Sequence, residues 1–302
     1  MMAVFGRREG RVLVGALVLL GPACAERAMA GPDPERIEWI MTEGDPQVQK
    51  IVARHLPEVA QGITRANPKR VWKSLLAGEP ACTTDLLFRG EHAAQIYFSP
   101  TVLSLPPVVL VRAAASARLP LNAQGSVQLQ ALLARPDLLG AAVAGRYYGQ
   151  LVSSLIAQRP ARSMLTLLDS SHGVVRAIEM LLTRRVDYVI AYPSDVDEDD
   201  VAARLGKGQR PSVLPVAGAE ALMQAGVACP RTPWGWTAMR RIDAALSEPD
   251  SVAEMEKIQA IYMTEADRRR HAAELQAFFR ARLRPMMAPA DGPDGRPTAP
   301  AP

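Results

Sequence analysis

This chain has few of the residues from which most catalytic and metal centres are built. Its 302 residues include only three cysteines and four histidines. His55, His92, His172 and His271 show no metal-ligand spacing. There is no C-x-x-C pair, and neither Cys82 nor Cys229 has a neighbouring histidine, which speaks against a nucleophilic thiol. A G-x-S-x-G elbow is also missing, so the adjacent Ser171-His172 lack the frame of a hydrolytic nucleophile and base. The acidic run Asp195, Asp197, Glu198, Asp199 and Asp200 lacks the glycine and distal glutamate of a calcium loop. Acids favoured at a helix start by the dipole are the simpler account. No repeat of fixed period is visible. The net charge of +4 comes from scattered arginines, and the densest group, Arg268-Arg269-Arg270, sits beside Glu265 and Asp267. That is a solvated helix face and no nucleic-acid surface. These absences point away from an enzyme and from any metal or cofactor.

The N-terminus is more informative. Arg7, Arg8 and Arg11 precede an apolar run over residues 12–20, and small residues follow at Ala23, Ala25, Ala28 and Ala30. A basic front, a short apolar middle and A-x-A exits describe a secretory signal peptide over residues 1–30, cleaved after Ala25 or Ala30. The apolar run is about half the length of a bilayer span. A buried core helix is the rival reading, and Pro22 would bend it. Lipidation at Cys24 fits poorly with Gly21 and Pro22 before it. The expectation is a soluble, monomeric periplasmic protein of a bacterium. Either cleavage leaves Cys82 and Cys229 as an even pair in an oxidising compartment, where disulfides persist. A Cys82–Cys229 bridge is predicted over two buried thiols. Residues 288–302 are mostly Pro, Ala and Gly with few apolar anchors, the composition of a disordered tail.

Nearly half of the residues are hydrophobic, and about 255 residues lie between signal and tail, enough for one large or two small domains. Helical and extended patterns alternate there. Residues 37–41 read as a first strand. Asp45-Pro46 then offers a cap and first-turn proline before Val48, Ile51, Val52 and Leu56 at helical spacing, and Asn67-Pro68 repeats the device before Val71, Trp72, Leu75 and Leu76. Residues 81–88 and 107–111 look extended. Ser126 starts a helix through Leu129, Leu132 and Leu133, residues 141–143 read as a short buried strand, and residues 186–190 as a clear one. The segment 213–216 suits a return crossing, and everything from Leu222 onward reads as helical. The fold class predicted is α/β with largely parallel pairing. Residues 31–111 and 213–287 would form a discontinuous first lobe, and residues 112–212 an inserted second lobe. Two such lobes leave a cleft, a usual place for a small ligand.

Several phrases, in order, resemble a known family. They are Leu76-Ala77-Gly78-Glu79-Pro80-Ala81-Cys82, Tyr97-Phe98-Ser99-Pro100, Gly145-Arg146-Tyr147-Tyr148-Gly149, Arg185-Val186-Asp187-Tyr188-Val189-Ile190 and Cys229-Pro230-Arg231-Thr232-Pro233-Trp234-Gly235. Together they span about residues 36–280. The chain is similar to type II periplasmic solute-binding proteins of family 3, the amino-acid-binding branch, and within it to a little-characterised exported subgroup. That subgroup has cysteines at the two places seen here, which supports the bridge independently. The resemblance implies a two-lobe fold that closes on a small-molecule solute and hands it to a membrane permease or a sensor.

Three departures bear on the ligand. In amino-acid binders a Thr-x-x-Arg phrase six residues before a Phe-Ser holds the ligand carboxylate. Here Arg89 stands in the threonine's place and His92 in the arginine's, although only arginine offers a planar fork to both oxygens. An Asp five residues past that of the Val-Asp strand pairs with the ligand ammonium in that branch, and here the position is Tyr192. The aromatic-rich loop after the first strand is also short, residues 42–46. The expectation is therefore a solute other than a standard free amino acid, anionic or aromatic. The rival is an envelope interaction protein on a scaffold that has lost its ligand, and a hydrolase of envelope components ranks third. Candidate ligand-binding residues are Arg89, His92, Arg146, Tyr147, Tyr148 and Tyr192. Gly145 to Gly149 would present backbone N–H groups to an anion, or else form a tight turn with packed tyrosines. Asp187 reads as a partner of Arg185 or a helix end, and Trp234 and Trp236 as packing.

Overall fold

The computed structural model describes residues 36–42, 46–196, 211–219 and 222–287, all within one compact unit, Pro32–Pro302. The expected signal peptide, the tail, Glu43 to Asp45 and the acids Asp197 to Asp200 lie outside the described residues.

The chain opens with β1 (Arg36–Met41), α1 (Gln47–His55), β2 (Ala60–Arg65), α2 (Pro68–Leu76), β3 (Ala81–Leu87) and β4 (Ile96–Ser104). The start of α2 is set locally: the Asn67 side chain accepts from the Arg70 N–H at 2.8 Å, and Pro68 supplies the first turn. Such a cap contributes about 1 kcal/mol. The apolar stripe of α2 then buries Val71 and Leu75. A second series follows, with β5 (Val108–Val111), α3 (Ala113–Ser116), α4 (Leu129–Leu133), β6 (Gly140–Val143), α5 (Gly149–Ala157), β7 (Leu165–Leu168), α6 (Gly173–Leu182), β8 (Tyr188–Ala191) and β9 (Ser212–Pro215). Ser126 does not cap α4; its N–H and that of Gln124 donate to the Asn122 side chain in a turn before the helix. The chain finishes with β10 (Met223–Pro230), α7 (Pro233–Leu246), α8 (Pro249–Tyr262), α9 (Glu265–Arg270) and α10 (Ala272–Arg282).

The strands form two sheets, ordered β2-β1-β3-β10-β4 and β7-β6-β8-β5-β9. Each is mixed. Parallel pairs β1/β2, β1/β3, β6/β7 and β6/β8 are joined by helical crossovers, whereas β10 and β5 run antiparallel to both of their neighbours. The expected α/β, two-lobe, inserted architecture is what the chain builds, but its pairing is not largely parallel, with four strand pairs parallel and four antiparallel among the described residues. Two further sequence readings need correction. Residues 223–230 are a strand, not part of a helical block. Their small residues Ala225, Gly226 and Ala228 suit a tight place between two strands. A Cβ on Gly226 would lie 2.2 Å from the Ser99 carbonyl oxygen of β4, so no larger residue fits this register. The second correction concerns the lobe edges: β5 and most of β9, drawn into the first lobe, hydrogen-bond in the second sheet. Alternation along β5 explains why. Val109 and Val111 enter one core on that sheet, and Val108 and Leu110 the core on its other face. The chain therefore crosses between lobes just after β4 and again between β9 and β10.

The first lobe's core gathers Trp39, Tyr97, Val227, Met239, Ile242, Leu246 and Met255 from both ends of the chain. Cys82 of β3 and Cys229 of β10 are fully buried in it and joined by a disulfide, with their Cα atoms 4.3 Å apart. One charged pair is also sealed in this lobe. Asp243 of α7 accepts from Arg282 at 3.0 Å, from the Ser99 hydroxyl at 2.7 Å and from the backbone N–H groups of Met286 and Met287 at 2.6 and 2.9 Å. A buried carboxylate needs such donors to offset its lost hydration.

Candidate functional site

Between the lobes lies a cavity of about 460 Å³. Its walls come from the residues that follow the parallel strands β1, β6, β7 and β8, together with the N-terminal turn of α2 and parts of β3, β4 and β10. Ligand sites of open α/β sheets form outside such strand ends. The first lobe contributes Trp72 and the buried hydroxyls of Thr83 and Thr84, and the second contributes Arg146, Tyr147, Ser170, Ser171, Tyr192 and Asp195. Leu86, Val102, Leu103, Val174 and Val175 give the walls an apolar character.

The lobes touch beside this cavity through side chains of the protein itself, in two adjoining sets of contacts around the start of α2 and the Gly145 turn. In one, Asp169, just past β7, accepts from Asn67 at 2.9 Å and from the Lys69 ammonium at 2.6 Å. In the other, Arg89 donates to the Gly145 carbonyl at 3.3 Å, and its guanidinium stands 4.5 Å from the Trp72 ring centre and 4.6 Å from that of Tyr147. Burial pulls the Arg89 pKa below the ordinary guanidinium value, against the opposing effect of Glu91. Gly145 makes the approach possible. Its φ is +75°, and an added Cβ would lie 2.6 Å from Lys69 Cγ and 3.2 Å from the Lys69 backbone nitrogen.

The second lobe's wall is a layered cluster. Tyr148 is buried, its hydroxyl accepts from the Val143 N–H at 2.9 Å, and its ring stacks on Tyr192 with centres 5.8 Å apart. The Tyr192 hydroxyl donates to the Tyr147 carbonyl at 2.7 Å. Burial raises the pKa of both phenols, and that of Tyr192 stands well above the usual tyrosine value. Arg146 lies over the Tyr192 ring at 4.9 Å and grips Asp195 with two hydrogen bonds of 2.7 and 2.8 Å. Burial opposes its charge, but Asp195 and the tyrosines outweigh that, and the Arg146 pKa lies above the guanidinium norm. Asp195 also accepts from the Tyr192 N–H at 2.8 Å.

The six residues singled out from sequence therefore separate. Arg146, Tyr147 and Tyr192 line the cavity. Arg89 bridges the lobes at its edge and is not among the lining residues. His92 packs its ring 4.6 Å from Trp72 and pairs with Gln95 at 2.7 Å, and Tyr148 lies in the core under the site. Asp187 is structural, but its partners are Arg112 at 3.2 Å and the Leu139 N–H at 2.9 Å, not Arg185. Ser171 and His172 are within 3.1 Å of each other at the start of α6, where His172 is exposed. Sequence reasoning missed Asn67, Lys69 and Asp169, and treated Asp195 only as a helix-start acid. Its position three residues after Tyr192, with Pro193 between, was the available signal: that spacing lets the side chain turn back onto the Tyr192 N–H.

No protein-family model matches the sequence, and no curated protein matches it. Solved structures do. A mutant of ArgBP from T. maritima superposes with a TM-score of 0.54 at 14% identity, covering 76% of this chain and 96% of the other. AbpA, an amino acid ABC transporter substrate-binding protein from Streptococcus pneumoniae bound to L-arginine, gives 0.53 at 12% identity over 83% of this chain and 97% of its own. A histidine kinase sensor domain with similarity to periplasmic binding proteins gives 0.53 at 16%, covering 76% and 96%. The chain has the two-lobe fold of the periplasmic binding proteins. At these identities the likeness is one of fold, and the ligand must be argued from the site. Among the described residues no helix is long and apolar enough to cross a membrane.

Proposed function

We propose that the protein is an exported, periplasmic solute-binding protein, a monomer that captures a small molecule in the interlobe cleft and passes it to a membrane permease or sensor. The observation that carries this reading is the 460 Å³ interlobe cavity beside which the two lobes make direct contacts that exist only when they meet. Closure has to be driven by interactions available in the closed state alone. Arg89 to Tyr147 and Gly145, and Asp169 to Asn67 and Lys69, are interactions of that kind. Arg146, Tyr147 and Tyr192 are the ligand-contacting candidates, Arg89 is a closure residue, and His92 and Tyr148 support Trp72 and Tyr192. Within the amino-acid-binding branch, the exported subgroup is the membership we favour, and the solute is not a standard free amino acid. The carboxylate-gripping arginine of that branch is replaced by His92, and the Tyr192 hydroxyl is already engaged by a backbone carbonyl.

Thermal-shift screening of the mature protein against solute classes tests the reading. A ligand at a hundred times its dissociation constant adds about 2.7 kcal/mol. Any hit should weaken by about tenfold in Gly145→Ala, where the added methyl would press on Lys69 and oppose closure, while the left-handed backbone adds a cost of about 1–2 kcal/mol to folding rather than to closure. Folded protein with no shift across the whole library refutes solute capture. It would favour an envelope interaction protein whose lobes are held together by their own side chains.

A further inference from the structure

We infer that Arg146 acts as a resident cation that fills the second lobe's anionic subsite, so that the cleft takes an uncharged, hydroxyl-bearing solute. This deepens the solute-binding reading and rests on it. Asp195 is the acidic side chain lining the cavity among the described residues, and both of its oxygens are engaged by the two terminal nitrogens of Arg146 at 2.7 and 2.8 Å. A third donor, the Tyr192 N–H, reaches it at 2.8 Å. The pair is largely withdrawn from water, with side-chain exposures of 24% for Arg146 and 10% for Asp195. It also rests on a floor, because the guanidinium stacks over Tyr192, which stacks in turn on buried Tyr148. Planar, two-point contact of this sort is both stronger and more directional than a single ion pair.

This arrangement decides between ligand charges. A solute ammonium would have to displace the guanidinium, leaving Arg146 without its anion in a poorly hydrated place, which is strongly unfavourable. A solute carboxylate would meet a cation that Asp195 has already neutralised. A neutral solute disturbs neither group. What remains to recognise it is a set of hydroxyls, Thr83, Ser170, Ser171 and Ser194, beside the flat rings of Trp72 and Tyr147. A hydroxyl both donates and accepts, so hydroxyl-lined walls pair best with hydroxyls on the ligand. Ring compounds carrying hydroxyls combine this with an apolar face.

The test uses probes matched in shape and differing in charge: benzyl alcohol, benzylamine and benzoate, and glucose, glucosamine and glucuronate. Melting-temperature shifts and calorimetry are read on the wild-type chain, on Arg146→Ala and on Arg146→Lys, with methylguanidinium as an added probe for the alanine variant. In the wild type a neutral member is expected to bind at least tenfold more tightly than its charged partners. Arg146→Ala is expected to gain methylguanidinium and an amine probe, and Arg146→Lys, which keeps a cation on Asp195, to gain neither. Wild-type binding of an amine or a carboxylate as tight as that of the neutral probe overturns the inference while leaving solute capture standing. Silence of the wild type toward every probe, with no methylguanidinium binding by Arg146→Ala, overturns the inference, and silence across the whole solute library overturns solute capture as well. Should Arg146→Ala fail to fold, the wild-type ranking within each trio still decides.

Discussion

Replacing Cys82 and Cys229 together by alanine should remove most of the first lobe's margin of stability. The two residues are 147 apart in sequence, and the closed loop contains the whole second lobe. In the chain-entropy treatment a loop of that length restricts the unfolded chain by about 5 kcal/mol at 25 °C. Native packing adds little to this, since β3 and β10 are already hydrogen-bonded neighbours. A loss of about 3–5 kcal/mol is expected, comparable to the total stability of many domains. The four tryptophans make the assay selective. Trp39, Trp72, Trp234 and Trp236 all lie on β1, α2 and α7 of the first lobe. In urea unfolding their fluorescence should move to lower denaturant in the double variant, while far-UV circular dichroism, which reports on both lobes, should separate into two transitions. An unfolding free energy from the fluorescence transition that falls by less than about 1 kcal/mol would refute the reasoning, because the bridge would then close no loop that matters to the unfolded chain.

Asp243→Ala should cost about 3–5 kcal/mol in the same assay, since it leaves the fully buried Arg282 without its anion. Arg282→Met should cost clearly less, because Asp243 keeps three donors, in Ser99, Met286 and Met287; equal losses would contradict this account. Tyr188 carries one part of the high-pH dependence, beside the buried Tyr148 and Tyr192. Burial pushes the Tyr188 phenol up to about 12. The neutral phenol is thus favoured in the folded state, so its contribution is fully present below the unfolded value near 10 and is lost as pH rises from there toward 12, a total of about 3 kcal/mol. Denaturant midpoints measured between pH 8 and 11.5 should fall less steeply in Tyr188→Phe than in the wild type, and parallel slopes would be incompatible with the burial argument.

Much of the fold was legible because its signals are local. Asn67-Pro68 announces α2 through a cap that needs only its own next turn, and the apolar run ending β8 reads as a strand without help. The cysteine pair was legible from parity, once the N-terminal pattern is read as an export signal that takes Cys24 away. What escaped depends on neighbours distant in sequence. β10 is built partly of small residues with weak strand preference, and it is a strand because β3 and β4 leave a narrow gap beside it. β2 carries mostly exposed residues, so no period-two apolar face marks it. The site shows the same division. Arg146, Tyr147 and Tyr192 could be picked out by type and place. The union of Arg146 with Asp195, 49 residues away, and of Lys69 with Asp169, 100 residues away, depends on how the second sheet is assembled and how the lobes meet.

The interior position of β10, between β3 and β4, has a consequence for biogenesis. This strand is synthesised after the entire inserted lobe, yet it must slot between two strands made more than a hundred residues earlier. Until it emerges, β3 and β4 each present a bare flank open to pairing with foreign chains. The five described strands of the inserted lobe are complete by residue 215 and can pair first, whereas the lobe holding the N-terminal strands must wait. Vectorial delivery thus imposes an order opposite to that of the sequence, and the half-made sheet is where an escorting chaperone would be most useful.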